Sequence, residues 1–172
     1  MKIQIIGYSG SGKSTLARKL GELLDIHVLH LDAIKFYGNW DERTQEEQER
    51  IVSMFLEEND SWVIDGNYSS ICNHRFYETD ITIFLNYNRF YCYKMCKKRY
   101  KMYKGVSRPD CECTEKFDKQ FKKWILVDGR TKKRRKKHLE NLNKTTNGTK
   151  LIFKNRKQLN KWFINFEKNF KR

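Results

Sequence analysis

Short apolar runs alternate along this chain with longer stretches in which apolar residues recur every three or four positions. The runs are Lys2-Ile3-Gln4-Ile5-Ile6, Ile26 to Leu31, Ser61-Trp62-Val63-Ile64, Ile81-Thr82-Ile83-Phe84-Leu85 and Lys150-Leu151-Ile152-Phe153. The first three run into Gly7, Asp32 and Asp65. Their length and β-branched content predict strands. Helical spacing covers about Lys13 to Leu24 and Arg43 to Asn59, where Ile51 and Phe55 share a face. It returns over Ser69 to Tyr77, Arg89 to Tyr103, Thr114 to Leu142 with a break at Gly129, and Gln158 to Phe170. Gly105 to Cys113 holds the only proline, Pro109, and is expected to be a surface loop; Thr145 to Gly148 is expected to be a turn. Alternating strands and helices predict an α/β domain with a parallel sheet covered on both faces. No internal repeat or linker divides it.

Such sheets bind ligands beyond the carboxyl ends of their strands. The first strand runs directly into Gly7-Tyr8-Ser9-Gly10-Ser11-Gly12-Lys13-Ser14, which fits G-x-x-x-x-G-K-[ST] without mismatch. Glycines allow the backbone to curl with its N–H groups turned inward. The curl opens a helix, whose free amides and positive dipole end face the same anion. Lys13 can reach the outer phosphates of a nucleotide and the Ser14 hydroxyl can ligate magnesium. Gly7, Ser9, Gly10, Ser11, Gly12, Lys13, Ser14 and Thr15 form the expected nucleotide-binding set.

Asp32 and Asp65 stand at the ends of the second and third strands, beside this loop. One can hold magnesium and the other can face a phosphoryl acceptor; each could equally serve as a turn or cap aspartate. His30 can touch a substrate or be a half-buried, hydrogen-bonded side chain. His27, His74 and His138 form no constellation with a serine or cysteine nucleophile. Among the five cysteines, Cys92 and Cys96 are four apart on a helix and Cys111 and Cys113 lie in the loop. A zinc site from these four is one reading, but the spacing departs from the usual knuckle pattern and reduced structural thiols are the expectation.

The 172 residues carry 36 basic and 21 acidic side chains, a formal net charge of +15. Lys132-Lys133-Arg134-Arg135-Lys136-Lys137 is an unbroken basic run. Polyanionic partners follow from such a balance, or simply a solvated helix face. With no apolar stretch of membrane-spanning length and a strand at the N-terminus, a cytoplasmic protein with no membrane partner is expected.

The phosphate loop with its flanks, His30-Leu31-Asp32, Trp62-Val63-Ile64-Asp65-Gly66-Asn67-Tyr68 and Lys154-Asn155-Arg156-Lys157-Gln158-Leu159 together resemble the bacterial DNA topology modulation proteins, a group related to adenylate kinases. The resemblance covers nearly the whole chain. It implies the three-layer P-loop nucleoside-monophosphate-kinase fold, a five-stranded parallel sheet in order 2-3-1-4-5, with a lid over about residues 104–114. It implies ATP and Mg2+ as cofactors, with Ser14 and Asp65 on the metal and Asp32 facing the acceptor. It places Lys13 and Arg99 on phosphates, and Asn155 with Arg156 near adenine. Separately, the planar guanidiniums of Arg108 in the lid and of Arg130, Arg134 and Arg135 on the helix returning from it suit the charge spread over a transferred phosphoryl group, or are surface arginines of a basic helix. One or two of them are expected to close over the γ-phosphate. The implied activity is phosphoryl transfer to a small acceptor, a nucleoside or nucleotide. Tyr68-Ser69 and Met95 replace residues that adenylate kinases use on the acceptor's phosphate, which weighs against AMP. The family's name implies the alternative of a nucleic-acid-binding or regulatory protein with ATP as a switch. Its DNA contacts would be weak and salt-dependent, since no recognised DNA-reading motif is present.

Overall fold

A computed structural model describes residues 1–38, 40–108 and 110–171, and of Arg108 the backbone alone. In chain order the elements are β1 (Lys2–Gly7), α1 (Lys13–Leu24), β2 (His27–His30), α2 (Leu31–Lys35), β3 (Phe36–Tyr37), β4 (Asp41–Glu42), α3 (Gln45–Glu58), β5 (Trp62–Asp65) and β6 (Ile81–Leu85). There follow α4 (Arg89–Met102), β7 (Ser107–Arg108), β8 (Cys111–Thr114), α5 (Lys119–Leu126), α6 (Lys132–Asn143), β9 (Thr149–Phe153) and α7 (Arg156–Phe170).

Five parallel strands form one sheet in the order β2-β5-β1-β6-β9. Counting these strands alone, this is the expected order 2-3-1-4-5. The three inner strands are buried almost throughout, whereas edge strands β2 and β9 are partly exposed, which is why the inner runs are the most apolar. Pairing of Gly7 with Leu85 brings the carboxyl ends of β1 and β6 level, and β5 ends two residues short of them, where Asp65 pairs with Ile5. The larger core packs α1, α4, α6 and α7 residues on β1 and β6; a second cluster joins Leu31 and Val52 to Trp62 and Ile64 of β5. No helix among the described residues is long and apolar enough to cross a membrane.

Helix limits follow from caps. Thr44 and Glu47 close a capping box at the start of α3, Asn88 caps α4, and Asp118 starts α5 four residues later than the spacing predicts. The 114–142 stretch does break near Gly129, in a 3₁₀ turn at Asp128–Arg130. Over 69–77 only Asn73–Phe76 is helical, again 3₁₀. Two corrections concern the site. Asp32 does not end a strand, because α2 begins at Leu31 and places Asp32 in its first turn. The expected loop at 105–113 contains an antiparallel hairpin, β7–β8, with Cys111 and Cys113 buried; its Pro109 lies outside the described residues. A second small hairpin, β3–β4, was not signalled by any alternation.

Arg75 is fully buried, and among the described residues its hydrogen bonds go to no carboxylate. Its guanidinium donates to the carbonyls of Ile71, Cys72 and Tyr68 and to Oε1 of Gln4, the fully buried polar side chain of β1. Burial lowers its pKa to about 10, so it stays charged at neutral pH. Those bonds hold the 66–76 segment against β1.

Gly10, at φ 77°, packs on α4: a Cβ there would lie 2.4 Å from the Cys92 carbonyl and 2.6 Å from Cys96 Sγ. Gly105 has a similar φ of 79° but open space around it. Gly105→Ala should therefore cost only the backbone strain, about 1 kcal/mol, and Gly10→Ala about 2–4 kcal/mol once overpacking is added. Denaturant unfolding of both variants checks this; equal losses would mean that the loop is not held against α4.

Candidate active site

The loop between β1 and α1 curls over the sheet's carboxyl edge. Gly12, at φ 91°, is the cap of α1, and a Cβ added there would face open space. A left-handed residue here turns the first amides of the helix toward that space, leaving it accessible to an anion. Lys13 folds back, its Nζ 3.4 Å from the Tyr8 carbonyl. Asn67 clamps the loop's origin: its Oδ1 accepts from Gly7 N–H at 2.8 Å and its Nδ2 donates to Gly7 C=O at 2.7 Å.

Asp65, 4% exposed, is shared by two partners. Ser14 Oγ donates to its Oδ2 at 3.0 Å, and His30 Nδ1 bonds its Oδ1. Burial disfavours a charged His30, but the Asp65 bond and the charges of Asp65 and Asp110 outweigh it and raise the His30 pKa. A hydroxyl and a carboxylate side by side at the mouth of a phosphate loop are the hard oxygen donors that magnesium takes, with water and phosphate completing its shell. Ser14 and Asp65 thus fit the metal. No group of three or more His, Cys, Asp or Glu side chains able to hold a metal occurs among the described residues. The five thiols are buried; burial raises Cys92 and pushes Cys96 to about 11, so neither is a ready thiolate.

Asp32 lines the same cleft, a cavity of about 1120 Å³. Its Oδ1 accepts from the Tyr68 hydroxyl at 2.8 Å. Burial, and then the Asp32 charge, keep that phenol protonated and a donor. Phe36, Trp40 and Tyr68 line the wall around it.

The arginines divide. Arg99 Nε meets Glu115 Oε1 at 2.9 Å beside the cleft, and Arg18 meets Asp110 at 3.0 Å, joining α1 to the hairpin. Arg130 stacks 3.6 Å over the Tyr8 ring and donates to the Tyr87 carbonyl at 2.7 Å. Arg134 stacks on Trp124 and donates to the Asp128 carbonyl. Both line the cleft, as does Arg156 at the start of α7. Asn155 is the cap of α7, its Oδ1 accepting from Gln158 N–H, and is not on the cleft wall. The Arg108 side chain lies outside the described residues.

Several residues of the site carry no sequence signal for their role. Asn67 follows Asp65-Gly66 directly, yet only the pairing of β1 with β5 brings it against Gly7. The Trp40 indole donates to the Thr114 carbonyl at 2.7 Å, joining the two small hairpins. His138, 9% exposed, packs edge-on to Tyr8 beside the loop. Burial, and then the charges of Lys13, Arg134 and Arg130, lower its pKa to about 4.

Solved P-loop kinases share this architecture over the full chain. Shikimate kinase from Bacteroides thetaiotaomicron is 17% identical, with a TM-score of 0.55 and coverage of 100% of this chain and 99% of that one. Shikimate kinase from Acinetobacter baumannii in complex with shikimate is 14% identical, TM-score 0.55, covering 98% and 93%. Deoxyadenosine kinase from M. mycoides, with dCMP and dCDP bound, is 13% identical, TM-score 0.52, covering 98% and 100%. The likeness shows the P-loop kinase fold. No family model and no curated protein sequence matches the chain.

The depressed pKa of His138 has a thermodynamic consequence. Its neutral form is favoured by folding, so the unfolded chain binds the extra proton between pH 6.5 and about 4. The associated stability is complete above 6.5 and is lost as pH falls to about 4, on the order of 3 kcal/mol in all. His138→Gln should flatten that part of the stability–pH curve in denaturant titrations; an unchanged slope would show that the imidazole titrates normally.

Proposed function

We propose that this chain is an ATP-dependent phosphotransferase, moving the γ-phosphate of ATP to a hydroxyl or phosphate oxygen of a small acceptor of the nucleoside or nucleotide class. The observation that carries the reading is the single cleft in which the phosphate loop, the Ser14–Asp65 pair and the Tyr68-bonded Asp32 face one another. The fold shared with shikimate and deoxyadenosine kinases supports it, as does the motif resemblance.

In this reading the loop amides and Lys13 cradle the phosphates, and Ser14 and Asp65 hold magnesium, which supplies charge neutralisation when bound. His30 orients Asp65 through the oxygen that Ser14 does not use. Tyr68 holds Asp32 so that its second oxygen is available to take a proton from the acceptor hydroxyl. Arg130 and Arg134, bonded to carbonyls and rings, carry charge that meets spreading negative charge on the transferred group. The β7–β8 hairpin serves as a lid, bound to α1 through Asp110 and to the acceptor wall through Thr114, and excludes water.

Lys13→Ala should keep the fold but abolish turnover and weaken ATP binding by at least about tenfold, through loss of a charge on the outer phosphates. Calorimetry with ATP checks this, and full affinity in a folded variant would refute the loop's role. Asp32→Asn should leave ATP affinity nearly unchanged and cut kcat by about two orders of magnitude or more, read as ADP release across a panel of acceptors. The rival reading, a nucleic-acid-binding protein, rests on the solvent-exposed basic residues 132–137 of α6. It prevails if no acceptor stimulates ADP release while duplex DNA binds with sequence preference at physiological salt.

A further inference from the structure

The two ends of the cleft differ in charge and in surface. At the loop end, Lys13, Arg130 and Arg134 make their bonds to the carbonyls of Tyr8, Tyr87 and Asp128 and to aromatic faces, with no carboxylate among these partners. At the Asp32 end three of the described cations meet carboxylates: Arg18 with Asp110 at 3.0 Å, Arg99 with Glu115 at 2.9 Å and Lys35 with Glu42 at 3.2 Å. The Glu115 side chain is 1% exposed. Moving Arg99 to a ligand would give up an ion pair with a carboxylate held in the interior, which opposes the move. Lys116 lies over the Trp40 ring, and Lys98 is exposed at the rim.

The same end is walled by half-buried rings. Phe36 and Trp40 lie 5.3 Å apart at 61°, and Lys35 spans the Phe36 and Tyr68 faces at 5.1 and 5.3 Å. The bond from Trp40 to Thr114 fixes the indole plane. Aromatic rings lining a cleft suit a flat ring, and Tyr68 ties this wall to the carboxylate that would receive a hydroxyl proton.

We infer that this end of the cleft binds an uncharged nucleoside and discriminates against its 5′-monophosphate. The base lies against Phe36, Trp40 and Tyr68, and a sugar hydroxyl faces Asp32. This deepens the proposed function and rests on it for the direction of transfer, but not for the ligand. In the transfer step the hydroxyl oxygen bonds the γ-phosphorus, the bond to the β,γ-bridging oxygen breaks, ADP leaves, and Asp32 takes the hydroxyl proton.

The test titrates the full-length protein, with Mg-ADP present, against adenosine, deoxyadenosine, guanosine, cytidine, uridine and thymidine, their 5′-monophosphates and glycerol, in a calorimeter. ADP release from ATP is followed in parallel with the same compounds. At least one nucleoside should bind about tenfold or more tightly than its own monophosphate, and glycerol should not bind detectably. Trp40→Ala should weaken nucleoside binding by about tenfold, as for loss of a stacking partner, with ATP affinity unchanged. Trp40→Phe should recover most of the loss, and Phe36→Leu supplies a second probe if Trp40→Ala does not fold. Asp110→Asn, which releases Arg18, should narrow the gap between nucleoside and monophosphate. Tighter binding of monophosphates, no nucleoside binding, or Trp40→Ala and Phe36→Leu without effect would overturn the inference. Nucleoside binding without any ADP release would uphold the ring site and sink the phosphotransferase reading. ADP release with monophosphates alone would do the reverse.

Discussion

Two hydrogen bonds from one side chain set where the site stands. Asn67 takes both groups of the Gly7 residue, its N–H and its C=O, at the point where β1 stops being a strand. In a parallel sheet the last residues of a strand lose their ladder partners, and burying either group unpaired costs about 1–3 kcal/mol. Asn67 supplies the partners from the chain leaving β5, two residues after Asp65. The phosphate loop and the magnesium-fitting carboxylate therefore share one origin. Behind Asn67, Gly66 donates to the Ile5 carbonyl, Gln4 reaches the Gly66 carbonyl, and Arg75 holds Gln4 and the Tyr68 carbonyl. A buried cation bonded almost wholly to main-chain oxygens thus supports both aspartates of the cleft, Asp65 through Gly66 and Asp32 through Tyr68.

The two histidines beside the loop show how local charge decides a shared chemistry. His30 and His138 are both largely buried, and burial alone would lower both pKa values. His30 has Asp65 within bonding distance and moves up; His138 has Lys13, Arg130 and Arg134 around it and moves down. One is equipped to hold a carboxylate in place, the other to add an uncharged aromatic edge under the phosphate loop.

What could be read from the sequence follows from how many residues each signal spans. The five strands and the phosphate loop were legible because a buried strand needs four or five apolar positions and the loop has a fixed spacing. The β3–β4 and β7–β8 hairpins were not legible: two-residue strands have no period to detect, and Pro109 and Gly105 read as loop. Asp32 was assigned to a strand end because Ile26 to Leu31 is one apolar run, whereas the backbone turns helical at Leu31. The burial of Arg75 has no signal in the sequence, since a charged residue carries no expectation of burial and its partners are mostly carbonyls, which every sequence has. Asn67 and Trp40 act across 60 and 74 residues of chain, distances that no local pattern encodes.

The junction between the two hairpins bears on how such a protein can diverge. Neither hairpin belongs to the central sheet, so both can vary without disturbing the core or the phosphate loop. Yet the Trp40 indole is oriented by a carbonyl of β8, and β8 lies against β3 and α2. A change on one side alters the support of the other, so substitutions there are expected to show epistasis. Under the proposed function, a change of acceptor preference would then take paired replacements in segments far apart in sequence, with the phosphate loop left as it is.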